Sequence, residues 1–344
     1  MIRRHGKLTL LTLLLSASCS GIFAQEIPVT TPIDSLITVG YATGSLKTLS
    51  GSVEKITETQ MNKDQITNPL EAIRGRVPGL TIQRGSNGPA ALDAVRLRGT
   101  TSLTSGNDPL IIVDGVFGDL SMLTSIYPTD IESFTILKDA SETAQYGSRG
   151  ASGVIEVTTK KGMQGRTQVA YNGSFGISTV YKNLKMLSGD EFRSVASERG
   201  ISILDKGNNT NFQKEIQQTG LQQNHHVAFY GGSSTSSYRV SLGFMDRQGV
   251  ILNEDMKNFT SNMNMNQKMF DGFFDCELGM FGSILKNHNL VDYQKTFYSA
   301  ATFNPTYPNH KDPVTNSWDG ITTASQITNP LAWMQVDDDD ATSH

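Results

Sequence analysis

After Gly162, apolar residues recur at every second position. Val169, Tyr171, Phe175 and Ile177 alternate with Ala170, Asn172, Ser174 and Gly176, and Tyr238, Val240, Leu242 and Phe244 alternate with Arg239, Ser241, Gly243 and Met245. Phe274, Cys276, Leu278, Met280 and Ile284 alternate with Asp275, Glu277, Gly279, Phe281 and Ser283. A period of two predicts strands, because successive side chains point to opposite faces. Strands that are polar on one side and apolar with aromatics on the other predict a transmembrane β-barrel with lipid outside and water inside. A soluble antiparallel sandwich alternates in the same way and is the competing reading. Between Met186 and Gly200 the alternation breaks, and Ser188-Gly189-Asp190-Glu191-Phe192-Arg193 predicts a capped helix within a loop. Asn329-Pro330-Leu331-Ala332-Trp333 predicts the start of another helix. The carboxylates of Asp337 to Asp340 read as a solvated loop, since a calcium loop needs ligands at alternating positions and a sharp-turn glycine.

Upstream, residues 53–162 mix short strands with short helices. Asn68-Pro69-Leu70-Glu71 is a capping box with proline at the first helical position, and Gly75 and Pro78 stop the helix. Asp139-Ala140-Ser141-Glu142 is a second box, whose helix ends at Tyr146-Gly147. Pro109 to Gly115 predicts a buried strand running into a turn, and Val154 to Thr159 predicts another strand. The region has the size of an ordinary α+β domain.

The amino terminus gives an address. Arg3, Arg4, His5 and Lys7 precede the apolar run Leu8 to Leu15, and Ala24 offers a small residue for cleavage. Residues 1–24 therefore read as a secretory signal peptide. Lipidation at Cys19 is the alternative, weakened by serine three positions before it; ordinary cleavage leaves Cys276 without a disulfide partner. No apolar run reaches the roughly 20 residues of a spanning helix, so a membrane form must be a barrel. Residues 25–52 form a polar linker carrying a β-prone stretch, Ile33 to Tyr41.

Composition narrows the function. The chain has 344 residues, a net charge of -4, 18% charged residues and 32 glycines. That balance excludes a protein devoted to neutralising nucleic-acid phosphates. Gly147-Ser148-Arg149-Gly150-Ala151-Ser152-Gly153 is not a nucleotide loop, because a helix precedes it and a β-prone run follows. His225 and His226, as neighbours on a strand, point apart and cannot share a metal. Asp130 and Glu132 fall beside helix starts, where capping accounts for them. No catalytic constellation, metal site or cofactor site is expected, and the chain does not read as an enzyme.

Asn68 to Leu80, Val95-Arg96-Leu97-Arg98-Gly99, Pro109 to Gly115 and Ile136-Leu137-Lys138-Asp139-Ala140-Ser141 through Gly162 resemble the plug domain of SusC/RagA-type TonB-dependent outer-membrane transporters. Gln222 to His226, Tyr230-Gly231-Gly232 and Tyr238 to Gly249 resemble early barrel strands of the same family, and Ile33 to Tyr41 is similar to its TonB box. The resemblance implies an α+β plug at 53–162 followed by antiparallel transmembrane barrel strands at 163–344, an incomplete barrel with its extracellular loops. It implies import of an oligomeric nutrient, glycan or peptide, across the cell outer membrane. TonB, a SusD-like surface lipoprotein, the nutrient and outer-membrane lipid are the partners it implies.

Leu36, Ile37, Thr38 and Val39 would add as a strand to a sheet edge of TonB, a mode that rests on main-chain hydrogen bonds. An ordinary plug strand is the competing reading of that segment. The resemblance marks Arg96, Arg98, Asp114, Lys138, Asp139, Tyr146, Gly147, Arg149, Gly150 and Gly153 as plug signature. Arg96, Arg98, Lys138 and Arg149 are expected to form ion pairs that seat the plug against the barrel wall, and the three glycines to allow close backbone approach.

Two features depart from the family pattern. There is no room for a β-sandwich extension before the TonB-box-like segment. Residues 163–344 are fewer than the roughly 220 that about 22 strands require, and the carboxyl end lacks a terminal aromatic strand. The chain is thus expected to hold the plug and five or six barrel strands. A secreted, plug-like binding module without transport is the alternative.

Overall fold

The structure is a computed structural model that describes residues 36–39, 42–45, 51–63, 66, 68–83, 94–103, 106–123, 125–290, 292–320, 328–336 and 338–343, by backbone alone at 36–39, 42–45, 336 and 338–343. The expected signal peptide lies outside the described residues. The chain divides into two units, Met1–Thr48 and Leu49–His344. In the first, β1 (Leu36–Val39) and β2 (Ala42–Ser45) pair antiparallel, Leu36 opposite Ser45 and Val39 opposite Ala42.

The second unit begins with β3 (Val53–Thr57), β4 (Leu80–Gln83), β5 (Ala94–Leu97), β6 (Leu110–Val113), β7 (Val116–Gly118), α1 (Leu120–Leu123), β8 (Ile131–Leu137), α2 (Ala140–Thr143) and β9 (Val154–Thr159). A five-stranded sheet forms in the order β3-β8-β9-β6-β7, and β4 pairs β5 beside it. Among the described residues only β6 and β9 run parallel, and β6 is buried along its whole length. That explains its unbroken Leu-Ile-Ile-Val run, which a strand covered on both faces needs. Ile73, Val95, Ile111, Val113, Leu123, Phe134, Ile136, Ile155 and Val157 make the core, each completely or almost completely shielded.

The first predicted helix is shorter than its capping box suggests. Asn68 accepts a bond from the Leu70 N–H, but only a single 3-10 turn, Pro69–Ile73, follows. Gly75 at φ 73° leaves the helical region, and Pro78 disfavours it for Val77. The second box caps α2 through Asp139, whose carboxylate accepts from the Ala140 N–H. The chain then continues as a 3-10 stretch broken at Gly147, where φ is 62° and ψ is -148°.

The rest of the chain builds one antiparallel sheet in sequence order. Its elements are β10 (Gly165–Ser178), α3 (Gly189–Glu198), α4 (Phe212–Glu215), β11 (Gly220–Gly232), β12 (Ser236–Gln248), β13 (Asp255–Met269), β14 (Phe274–Leu290), α5 (Tyr293–Thr302), α6 (Pro330–Val336) and β15 (Asp338–Ser343). Among the described residues the sheet is open, with β10 and β15 at its edges. The Ser188 box is complete: its hydroxyl accepts from the Glu191 N–H, and the Glu191 carboxylate accepts from the Ser188 N–H. Asp337 to Asp340 departs from expectation, since residues 338–343 pair with β14 as a strand. Backbone groups along a sheet edge recruit a strand whatever its side chains, so a carboxylate run does not forbid pairing.

The sheet is apolar outside and polar inside. Val169, Phe229, Val240, Met263 and Met280 are successive register partners on the outward face, with Tyr171, Phe244, Phe259 and Ile284 exposed beside them. Gln222, Asn224, His226, Arg239, Ser241, Asn258, Thr260, Asn262 and Asn264 are buried on the other face. A soluble sandwich requires the reverse, so that reading is excluded and the sheet is a segment of barrel wall. From Phe274 to Ile284 the strand climbs about 33 Å at about 3.3 Å per residue, and a tilt of about 40° makes this about 25 Å across the membrane. That is the height of a barrel's apolar band.

The two ends of the sheet differ. Connections 233–235 and 270–273 are short, and Phe270 and Phe273 are exposed in the second. Connections 179–219 and 291–337 are long, and with the 249–254 turn they build a second small core from Phe212, Ile216, Ile251, Leu290, Ala300 and Met334. Short turns at one rim and long loops at the other are the asymmetry of outer-membrane barrels.

Candidate functional site

The polar wall face meets the plug most closely at one buried carboxylate. Pro128 fixes the start of a 3-10 turn, Pro128–Asp130, that delivers Asp130 to the wall just before β8 begins. The backbone N–H of Asp130 donates to Tyr127 O, and its carbonyl accepts from the Lys160 N–H at 2.7 Å. The turn is thereby tied to the end of β9, and the carboxylate points to the wall.

Three wall residues receive it. His226 Nε2 and Arg239 Nη2 lie 3.0 and 2.8 Å from Asp130 Oδ1, and Ser241 Oγ donates to Oδ2 at 2.6 Å. An ionised carboxylate only accepts, so His226 carries its proton on Nε2. The side chains of Asp130 and His226 are 3% and 1% exposed. Burial pushes the Asp130 carboxyl upward, but hydrogen bonds from His226, Ser241 and Arg239, with the electrostatic influence of the His226 ring, outweigh it and hold the group below the usual carboxylate range.

The Tyr127 ring stacks on His226 with centroids 4.7 Å apart. Gly243, the register partner of His226, makes room, because a Cβ there would sit 2.3 Å from Tyr127 Cδ2. Further contacts continue around the wall. Asn264 Nδ2 donates to Thr159 Oγ1 at 3.3 Å, Ser283 Oγ donates to Ser125 Oγ at 3.1 Å, Lys161 pairs with Glu277, and Phe281 packs on the plug core. Strands β11 to β14 all take part.

The plug-signature residues meet one another instead. Arg96 pairs with Asp108, Arg98 Nε donates to Lys138 O, Lys138 Nζ lies 2.7 Å from Glu54 Oε2, and the Arg149 guanidinium sits 5.8 Å from the centre of the Phe117 ring. Every one of these partners belongs to the plug, and among the described residues Asp130 and Lys161 make ionic contacts to strands β11, β12 and β14 of the wall. Tyr146 packs edge-on against Phe117, and Gly153 at φ 94° leaves space that Leu97 fills. Asp139 is the helix cap already described.

Asp114 has φ 47°, and its carboxylate accepts from the Thr159 N–H at 2.9 Å and the Thr159 hydroxyl at 2.6 Å. Asp114→Ala is expected to lower plug stability by about 1–3 kcal/mol, read as thermal unfolding of the detergent-purified protein. An unchanged transition would show that this clasp contributes nothing.

The sequence neighbourhood of Asp130 predicts a capping role. It sits instead at the end of its turn, and its side chain bonds only to the wall in the contacts described. The sequence signal was an arginine at an inward strand position, Arg239, which requires a counter-charge from whatever fills the barrel. His225 and His226 do point apart: His225 Nδ1 lies 2.7 Å from the Tyr171 hydroxyl on the outer face.

Comparison with known proteins agrees with this architecture. Residues 45–154 match the TonB-dependent Receptor Plug Domain family. The chain is 32% identical to the TonB-dependent receptor SusC of Bacteroides thetaiotaomicron, across 92% of this chain and 34% of that protein. It is 36% identical to the TonB-dependent receptor P3 of Formosa agariphila, across 68% of this chain and 23% of that one. Its fold matches the RagAB peptide importer in the open-open state with a TM-score of 0.72 at 24% identity, covering 86% of this chain and 38% of that chain, and in the closed-closed state with 0.69 at 25%, covering 83% and 37%. The chain spans about a third of the length of these curated relatives at most. A plug of this family, seated by Asp130 against strands that are apolar outside and polar inside, makes the chain a member of the SusC/RagA-type TonB-dependent receptors.

Proposed function

We propose that the full-length protein imports an oligomeric nutrient, glycan or peptide, across the outer membrane, with TonB supplying the force and a SusD-like surface lipoprotein presenting the cargo. The observation that carries this is the plug itself, held in the wall by polar contacts concentrated around Asp130, with smaller apolar contacts at Tyr127 and Phe281. Such a seat is firm at rest and separable under load, because its bonds can be exchanged for bonds to water. The names of the relatives, a SusC receptor and a peptide importer, support nutrient import as the class and leave glycan and peptide as the two cargoes to test.

Leu36–Val39 is the proposed grip for TonB. In β1 it already has strand geometry, paired on one side with β2. Its other edge suits the addition of a strand from a partner, which would leave force on main-chain hydrogen bonds. Photo-crosslinking in cells from positions 36 to 39 of the full-length receptor is expected to capture TonB well above the level from a remote loop position. Equal capture at both places would sink the assignment.

A further inference from the structure

We infer that Lys257 and Lys286 form a binding site for the phosphate of an outer-leaflet glycolipid on the outward face of the wall; the inference rests on the membrane-barrel reading and not on what the receptor imports. Lys257 on β13 and Lys286 on β14 are register partners. They lie on the outward face, one outward-facing step beyond the Phe259 and Ile284 pair that ends the apolar band. Among the described residues neither ammonium has a carboxylate at ion-pair distance. Two like charges directly across a strand pair destabilise a sheet when nothing stands between them.

Position supplies the anion. A step of two residues is about 7 Å along the strand, which moves the side chains from the hydrocarbon edge to the level of headgroups. The long connections at this rim place it at the outer leaflet. Phosphate at that depth would accept from both ammonium groups and cancel the repulsion, as basic residues near a membrane surface do with anionic lipid. Two carboxylates flank the pair: Asp246, in the same row and the register partner of Lys257, accepts from Gln223 Nε2 at 3.2 Å, and Asp255, in the next row, lies 3.5 Å from His288 Nδ1. Asp246 therefore limits affinity from one side, leaving Lys286 and the far side of Lys257 to the ligand.

The test uses the full-length receptor purified from outer membranes in mild detergent, delipidated and titrated with monophosphoryl lipid A, with its dephosphorylated form and with phosphatidylglycerol, reading bound lipid by native mass spectrometry. Monophosphoryl lipid A is expected to bind, with affinity lowered about tenfold by the double variant Lys257→Gln and Lys286→Gln. Asp246→Asn is expected to raise affinity about twofold, an outcome that misfolding cannot mimic. Lys268→Gln, at the opposite rim, is expected to change nothing. Equal binding of the dephosphorylated lipid, or an unchanged affinity in the double variant, would overturn the site. Equal or tighter binding of phosphatidylglycerol would overturn the glycolipid as its occupant.

Discussion

Replacing Asp130 by alanine is expected to destabilise the seated plug by about 3–5 kcal/mol, the cost of leaving buried charge without its partner. The change strands Arg239 and the His226 Nε2–H in a site where both are almost fully enclosed. It also removes the acceptor for Ser241. Limited proteolysis of the full-length receptor should then cut the plug at rates at least a hundredfold higher, while the wall stays resistant. A double-mutant cycle with Arg239→Ala gives the sharper readout: the two losses are expected to fall short of their sum by more than about 1 kcal/mol. Additive losses would mean that the pair is not coupled. The pH dependence follows from the lowered carboxyl. Its stabilisation is present above the ordinary value near 4 and is lost as pH falls through the still lower value in the folded protein, so the plug stays seated throughout the neutral range.

The second large effect lies in the long-loop layer. Glu254 ends the 249–254 turn and is 3% exposed. Burial pushes its carboxyl up to about 7, against the opposing influence of a hydrogen bond from Tyr293, the charge of Arg247 and a backbone bond from Ile251. Burial and the Glu254 carboxylate in turn push the Tyr293 phenol up. A carboxyl raised in the folded state stabilises the fold at low pH and ceases to do so as pH rises through that value. The contact between the turn and α5 is therefore expected to be strongest below about pH 4.5 and to lose about 3 kcal/mol by pH 8. Hydrogen-exchange protection of residues 293–302 in the full-length receptor, corrected for the intrinsic pH dependence of amide exchange, should fall correspondingly, and Glu254→Gln should flatten the protection profile. Identical protection at pH 5 and pH 8 in the unaltered protein would show that Glu254 is not buried as a neutral acid.

Much of the architecture was legible in the sequence because it rests on local rules. Alternation at Val169 to Ile177 and at Phe274 to Ile284 depends only on strand geometry, and both runs are strands. The Ser188 box depends on spacing within one turn, and it forms as read. What stayed hidden depends on distant residues. Periodicity could not say which face of the sheet looks inward, a fact settled by the plug filling the polar side. Asp130 looked like a cap because nothing near it in sequence reveals a partner 96, 109 or 111 positions away. The partners of the plug-signature cations were hidden for the same reason, since charge alone does not tell whether a partner lies in the plug or the wall, and those among the described residues lie in the plug. Asp338–Ser343 pairs through its backbone, which composition does not encode.

The strands that cradle the plug come directly after it in the chain, and each pairs with its neighbour in sequence. The Asp130 seat is therefore complete as soon as β11 and β12 are paired, because His226, Arg239 and Ser241 lie on those two strands. In assembly, this allows the stopper to be fitted to the first staves before the cask is closed, and spares it from threading into a finished barrel.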